Sequence, residues 1–274
     1  MPTAEVNGTT IHYELRGRSG PRVILIMGLR ARGVAWEPVV EHLERDHQLA
    51  FFDHRGIGPS APLSGPTSMA EMAADAVGLM DHLGWSDAHA AGVSMGGMAS
   101  LHLALDHRAH LRSLSLICTT AHGGAVRLPS TSTVWLYLQT RVGSQRHRFT
   151  ALAKLLYSPE YLAQPGALDG VVGRLGRAFG HDAPGTWRAQ FNAISAHDVR
   201  ARLAQLDGLP TLIVGAGRDR LVPVQHSEYL HEHLPGSEMV RFADAGHGVL
   251  VERAGEVSGA LRAHIEGASR AAAK

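Results

Sequence analysis

Apolar runs of strand length alternate with segments of helical spacing at both ends of this 274-residue chain. That alternation restricts the fold more than any other feature. Residues 10–16 (T-I-H-Y-E-L-R) alternate and stop at Gly17, as a half-buried strand does. Residues 22–27 are largely apolar and end at Gly28, the pattern of a strand buried on both faces. Helical spacing follows over 34–45, a short strand over 48–52 and a helix over 68–83, where Ser68 and Glu71 form a capping box. Next come a strand over 89–93, a helix over 95–107 and a strand over 111–118. From about residue 209 the rhythm resumes with a strand (210–215), a helix (224–234), a strand (238–242) and a helix (249–266), and the tail 267–274 is expected to fray. Strands linked through helices by short connections predict an α/β fold around a mainly parallel sheet.

Residues 122–206 break this rhythm. Helical periodicity recurs at 134–138 and 152–157 without a convincing strand, and Pro129, Pro159, Pro165 and Pro184 punctuate the stretch. It is expected to be a helical insertion into a core formed by residues 1–121 and 207–274.

The charges balance, with 26 Lys and Arg against 25 Asp and Glu, which argues against a basic nucleic-acid surface or an acidic tail. Lysine occurs only at Lys154 and Lys274; with the abundance of Ala and Gly, this fits the coding bias of a GC-rich bacterium. The single cysteine, Cys118, rules out a disulfide framework or a thiolate metal cluster within one chain and reads as a buried small hydrophobe. The N-terminus lacks a signal-peptide pattern and no apolar stretch is long enough to span a bilayer, so a cytoplasmic protein without membrane contact is expected. A homodimer is left open.

Chemistry enters at Gly92-Val93-Ser94-Met95-Gly96, between the strand over 89–93 and the helix over 95–107. With 31 glycines in the chain the five-residue pattern arises easily by chance, so its context must confirm it. A serine at a sharp strand-to-helix turn needs small residues two positions away on each side, because backbones pass close there. The turn lifts the hydroxyl clear of the sheet and aims the first helical amides, with the helix dipole behind them, at a reacting atom.

A lone serine is a poor nucleophile. It needs a base, and the base an orienting acid. Two later segments supply candidates in the chain order such sheets use. Asp219 follows the strand over 210–215, and His247, between Gly246 and Gly248, follows the strand over 238–242. The glycines are expected to permit an unusual turn and free access to the ring. Asp244, three residues before His247, reads as a loop-shaping residue. The other place for an acid, after the strand ending at 118, holds Thr119 and Thr120.

In order, Met27-Gly28-Leu29, Asp53-His54-Arg55-Gly56-Ile57-Gly58-Pro59-Ser60, Gly92-Val93-Ser94-Met95-Gly96-Gly97, Gly217-Arg218-Asp219 and Gly246-His247 resemble the motifs of the α/β-hydrolase superfamily over nearly the whole chain. The resemblance implies an eight-stranded sheet with the helical insertion as a lid. It places nucleophile, acid and base on Ser94, Asp219 and His247, and the oxyanion-hole amides on Leu29 and Met95. Met27 stands where the common pattern has His. This variant resembles a branch near the anthracycline methyl esterases and proline iminopeptidase-like hydrolases. The Asp53–Gly58 stretch is expected to be a structural loop framing the pocket. Arg30 and Arg32 are candidates to meet a substrate carboxylate or phenolate. Trp135 and Trp187 are candidates to line an apolar pocket, with packing of the insertion as the plainer alternative.

Eighteen histidines do not make a metal site: His231 and His233 are two apart and His102 and His107 five apart, neither the i, i+4 spacing of a helical pair. No phosphate-loop or dinucleotide fingerprint is present, so no cofactor is expected. The expected activity is cofactor-independent hydrolysis of an ester or related acyl bond in a small apolar molecule. Alternatives on the same pocket are acyl transfer, ring closure or carbon–carbon bond hydrolysis in natural-product metabolism, or a weakly catalytic ligand receptor.

Overall fold

The computed structural model describes residues 2–125 and 131–272. Eight strands form one sheet: β1 (Thr3–Val6), β2 (Thr9–Arg16), β3 (Arg22–Ile26), β4 (Gln48–Phe52), β5 (Ala88–Val93), β6 (Leu111–Ile117), β7 (Thr211–Ala216) and β8 (Glu238–Phe242). Their spatial order is β1-β2-β4-β3-β5-β6-β7-β8. β2 runs antiparallel to both neighbours and every other pairing is parallel. The parallel strands therefore all end at one edge, where loop residues converge on a ligand or substrate.

Two apolar layers sandwich the sheet, because successive strand residues point to opposite faces. Ile24 and Ile26 join Met72, Leu79, Met98, Leu101 and Leu230, from helices α2 (Met69–His82), α3 (Met95–Asp106) and α9 (Gln225–His233). Val23 and Leu25 join Val39, Leu43, Leu250, Leu261 and Ile265, from α1 (Glu37–Leu43), α10 (Val249–Glu252) and α11 (Ala254–Ala272). Leu25 is wholly buried, so Leu25→Ala would cost about 2–5 kcal/mol. Among the described residues, five helices lie between β6 and β7: α4 (Thr131–Gln139), α5 (Gln145–Leu156), α6 (Pro159–Leu162), α7 (Ala167–Ala178) and α8 (Thr186–Ala196). Pro129 lies outside the described residues.

Most elements fall where periodicity puts them, and Ser68 caps α2 by accepting a hydrogen bond from the Glu71 amide at 3.1 Å. Three differ. β1 was not expected. Asn7 and Gly8, at φ +44° and +73°, form the two-residue turn that pairs Val6 with Thr9. The helix expected over 34–45 opens with a tight 3₁₀ turn over Gly33–Trp36 before α1. Instead of fraying, the tail stays helical to Ala272, because Ala268 is buried and the Ser269 hydroxyl lies 3.2 Å from His89 Nε2.

Candidate active site

Ser94 sits between β5 and α3 at φ +57°, ψ −123°, a conformation that costs a non-glycine residue roughly 1–3 kcal/mol. Its surroundings hold it there. The Ser94 amide donates to Ile117 O (2.9 Å), and its carbonyl accepts from the Thr119 hydroxyl (2.7 Å) and the Gly97 amide (2.9 Å). A Cβ on Gly92 would lie 2.4 Å from Gly96 O, and one on Gly96 would lie 2.1 Å from Ile26 O. The flanking glycines are thus fixed by close backbone approach, and Gly28 packs against the serine side chain.

At the same edge, Gly217 and Arg218 follow β7 and donate their amides to Phe242 O and Ala245 O, both at 2.8 Å. These two bonds zip the loop after β7 to the loop after β8. A Cβ on Gly217 would meet Ala243 O at 2.4 Å. The zipper brings His247 Nδ1 to 2.6 Å from Asp219 Oδ2, and Asp219 Oδ1 accepts the amides of Leu221 and Val222, each at 2.8 Å. Both residues are buried. The carboxylate is therefore oriented by three bonds and can hold the imidazole with Nε2 free to take a proton. The Ser94 hydroxyl makes no hydrogen bond among the described residues. Asp244 pairs instead with Arg253, a loop role.

Gly246 and Gly248 do a different job from the one expected. Neither has a positive φ. A Cβ on Gly246 would strike Leu156 O at 2.6 Å, and one on Gly248 the Tyr157 ring at 2.4 Å. They let the end of α5 press on the His247 loop. Glu252 fastens that contact, its carboxylate accepting from the Ser158 amide (2.9 Å), the Ser158 hydroxyl (2.7 Å) and the Gly246 amide (2.9 Å). No local sequence signal marks Glu252.

The loop after β3 carries Leu29, and neither its amide nor that of Met95 donates a hydrogen bond among the described residues. Buried His54 donates from Nε2 to Met27 O at 3.0 Å, and burial holds its pKa below the ordinary histidine value. Asp53 accepts from the Gly33 amide at 2.7 Å and from Arg32 Nε at 3.0 Å, and Arg55 chelates Asp75. The Asp53–Gly58 loop is accordingly structural.

Arg30 and Arg32, read above as contacts for a substrate anion, are committed internally. Arg32 pairs with Asp53, and Arg30 pairs through Nε (3.0 Å) and Nη2 (2.9 Å) with Asp182. Arg30 also has φ +61° and donates its amide to Gln190 Oε1 at 3.0 Å. Asp182 and Gln190, more than 150 residues away in sequence, carried no signal. Trp135 is 62% exposed on α4, and Trp187 stacks on Phe191 and has the Arg141 guanidinium 4.8 Å from its ring centre. Neither is placed in contact with Ser94, Asp219 or His247.

Cys118, buried with φ +46° at the end of β6, lies beside the Asp219–His247 pair, the ligand atoms of all three being within 4.8 Å of one another. Burial, reinforced by the Asp219 carboxylate, pushes its thiol pKa well up, so it stays protonated, a poor state for a metal ligand.

Residues 21–254 match the model of the alpha/beta hydrolase fold family. The chain belongs to that family. It is a hydrolase. It is 31% identical over 251 residues to the "Putative carbamate hydrolase RutD" of Azorhizobium caulinodans, covering 90% of this chain and 91% of that one. It is 29% identical over 252 residues to the pimeloyl-[acyl-carrier protein] methyl ester esterase of Neisseria meningitidis, covering 90% and 94%. Among solved structures, the enol-lactonase of Burkholderia xenovorans LB400 superposes with a TM-score of 0.82 at 24% identity, over 97% of this hydrolase and all of that chain. No helix among the described residues is long and apolar enough to cross a membrane.

Proposed function

We propose that this hydrolase cleaves an ester or related acyl bond of a small molecule through Ser94, His247 and Asp219. One observation carries the reading: a serine in forced backbone geometry and a buried His–Asp pair converge on one sheet edge. His247 Nε2 takes the Ser94 proton as Oγ attacks the acyl carbon. The amides of Leu29 and Met95 receive the negative oxygen, and Asp219 stabilises the imidazolium. His247 then protonates the leaving group, and water, deprotonated by His247, releases the acyl group from Ser94. No cofactor is required. Residues 122–206 form the lid over this edge, between core segments 1–121 and 207–274. Relatives named for carbamate, methyl ester and enol-lactone chemistry support an acyl carbon as the electrophile.

Mass spectrometry after treatment with a fluorophosphonate, run beside hydrolysis of short p-nitrophenyl esters, tests this. The expected result is one adduct and turnover, both lost in Ser94→Ala. No adduct on Ser94 would overturn the assignment.

A further inference from the structure

The chain holds two asparagines, Asn7 and Asn192, and their settings are opposite. Asn192 precedes Ala193 inside α8, where helical hydrogen bonding occupies the peptide nitrogen and fixes the backbone. Asn7 precedes Gly8 at the tip of the β1–β2 hairpin, and both residues are exposed. Nothing lies within 4 Å of the place a Gly8 Cβ would take. The turn residues lie outside the strand ladder, and the Gly8 N–H donates to no group among the described residues. A succinimide ring closes when a peptide nitrogen attacks the side-chain carbon of the asparagine before it. That reaction needs an uncrowded, unbonded nitrogen and water at hand, and Asn7-Gly8 supplies both.

Two neighbours shape the chemistry. Arg55 Nη2 donates to the Asn7 carbonyl oxygen at 3.4 Å. When the Gly8 nitrogen loses its proton, the negative charge is shared with that oxygen, and the guanidinium beside it stabilises the anion. The Asn7 side chain is tethered through Nδ2, which donates to Asp75 Oδ1 at 2.9 Å. The tether sits on an edge of the sheet. β1 has four residues and pairs only with β2, so fraying of this hairpin frees the side chain for attack.

We infer that Asn7 is a self-modification site of the native protein, and that its conversion unseats Arg55. The Gly8 nitrogen gives its proton to solvent and adds to Asn7 Cγ. The bond from Cγ to Nδ2 breaks, Nδ2 takes a proton from water, and ammonia leaves the succinimide. Water then opens the ring. Cleavage at Cγ gives aspartate, and cleavage at the Asn7 main-chain carbonyl gives isoaspartate. Both products disturb what the asparagine held. Asp75 is wholly buried, and its carboxylate already accepts from Arg55 Nε (2.8 Å) and Nη2 (2.5 Å). A carboxylate in place of the Asn7 amide brings like charge against it and no donor. Isoaspartate lengthens the main chain by a methylene inside the turn and breaks the Val6–Thr9 pairing. Arg55 anchors the loop whose Gly58 amide donates to His181 O and whose Gly56 O accepts from the Ala183 amide, both at 2.8 Å. The lesion at the hairpin thus reaches the contact between core and insertion.

The test incubates the native protein in mildly alkaline buffer, beside a sample unfolded in urea, and follows the peptides that carry Asn7 and Asn192 by mass spectrometry. In the native sample the Asn7 peptide is expected to gain the mass of OH in place of NH₂ and to separate into aspartate and isoaspartate forms, faster at higher pH, while the Asn192 peptide stays intact. Asn7 conversion confined to the urea sample, with Asn7 as stable as Asn192 in the native one, would overturn the inference. The consequence is read from melting temperature. Asn7→Asp, which makes the aspartate product directly, is expected to melt about 5 °C below the wild type. Asn7→Ala removes the tether without adding charge and is expected to melt between the two. An Asn7→Asp variant that melts no lower than Asn7→Ala would overturn the claim that the new carboxylate unseats Arg55.

Discussion

Gly96→Ala is the sharpest test of the elbow geometry. The added Cβ would stand 2.1 Å from Ile26 O and 2.7 Å from Met27 O, and both obstacles are backbone. Carbon and oxygen need roughly 3.3 Å, so the start of α3 and the end of β3 must separate by about 1 Å. Ile26 is central in the sheet, paired with Gly92 of β5, and cannot yield alone. The motion is therefore forced into the elbow and into the Met27–Leu29 segment, that is, between the nucleophile and its proposed oxyanion amides. A displacement of that size costs about 100-fold in turnover, with about 1–3 kcal/mol of stability from overpacking. The control is Gly259→Ala, on the exposed side of α11 with nothing within 4 Å of the new methyl. It replaces a helical glycine and should raise stability by about 1 kcal/mol with unchanged kinetics. Both variants would be compared by thermal melting and by ester kinetics. Wild-type kcat/KM in Gly96→Ala would refute the claim that the flanking glycine is dictated by backbone approach.

Asp219→Asn should lower kcat about 10⁴-fold with little change in melting temperature, because the amide oxygen can still accept from Leu221 and Val222; a loss below tenfold would remove Asp219 from the mechanism. Acid should destabilise the fold through buried neutral histidines. Burial first, then Arg112, holds His89 down to about 4, and burial first, then His102, does the same for His197. The unfolded chain takes these protons near pH 6.5, so stability is intact above that pH and drains as pH falls toward 4, by up to about 3 kcal/mol per residue. Melting temperature against pH checks this, and a flat profile between pH 7 and 4.5 would contradict it. Arg30→Met strands the Asp182 carboxylate, only 12% exposed, and should cost about 1–3 kcal/mol together with at least a tenfold loss of kcat, whereas Arg146→Met, which breaks an open surface pair with Asp169, should change neither.

What the sequence made legible is what period and turn chemistry govern. Strands β2 to β8 and the helices between them follow from apolar spacing, and the Ser94 turn from its glycines. β1 escaped because four residues carry too little alternation, although Asn7-Gly8 was a hairpin signal in plain view. The contacts of Arg30 and Arg32 escaped for a different reason. An arginine beside a site looks like a free cation until its carboxylate is located, and Asp182 lies 152 residues away. Separation also hides Gln190, 160 residues from Arg30, and Glu252, 94 residues from Ser158, whose contacts form only after the insertion has docked. The glycines around His247 show a third kind of failure, in which the residue type was informative but the crowding neighbour, Tyr157, came from another part of the chain.

The two clasps between insertion and core have a consequence for how such an enzyme diverges. Residues 178–190 are bound to the Arg30 and Gly56 loops, and residues 156–158 to the His247 loop, so substitutions in either stretch are felt at once in the chemistry. α4 stands outside both clasps, with Val134, Trp135 and Leu138 bare on its surface. Variation is therefore inexpensive there and costly along the two clasped stretches. A lineage, or an engineer, seeking new substrates has one helix to rewrite freely while the catalytic frame behind it stays as inherited.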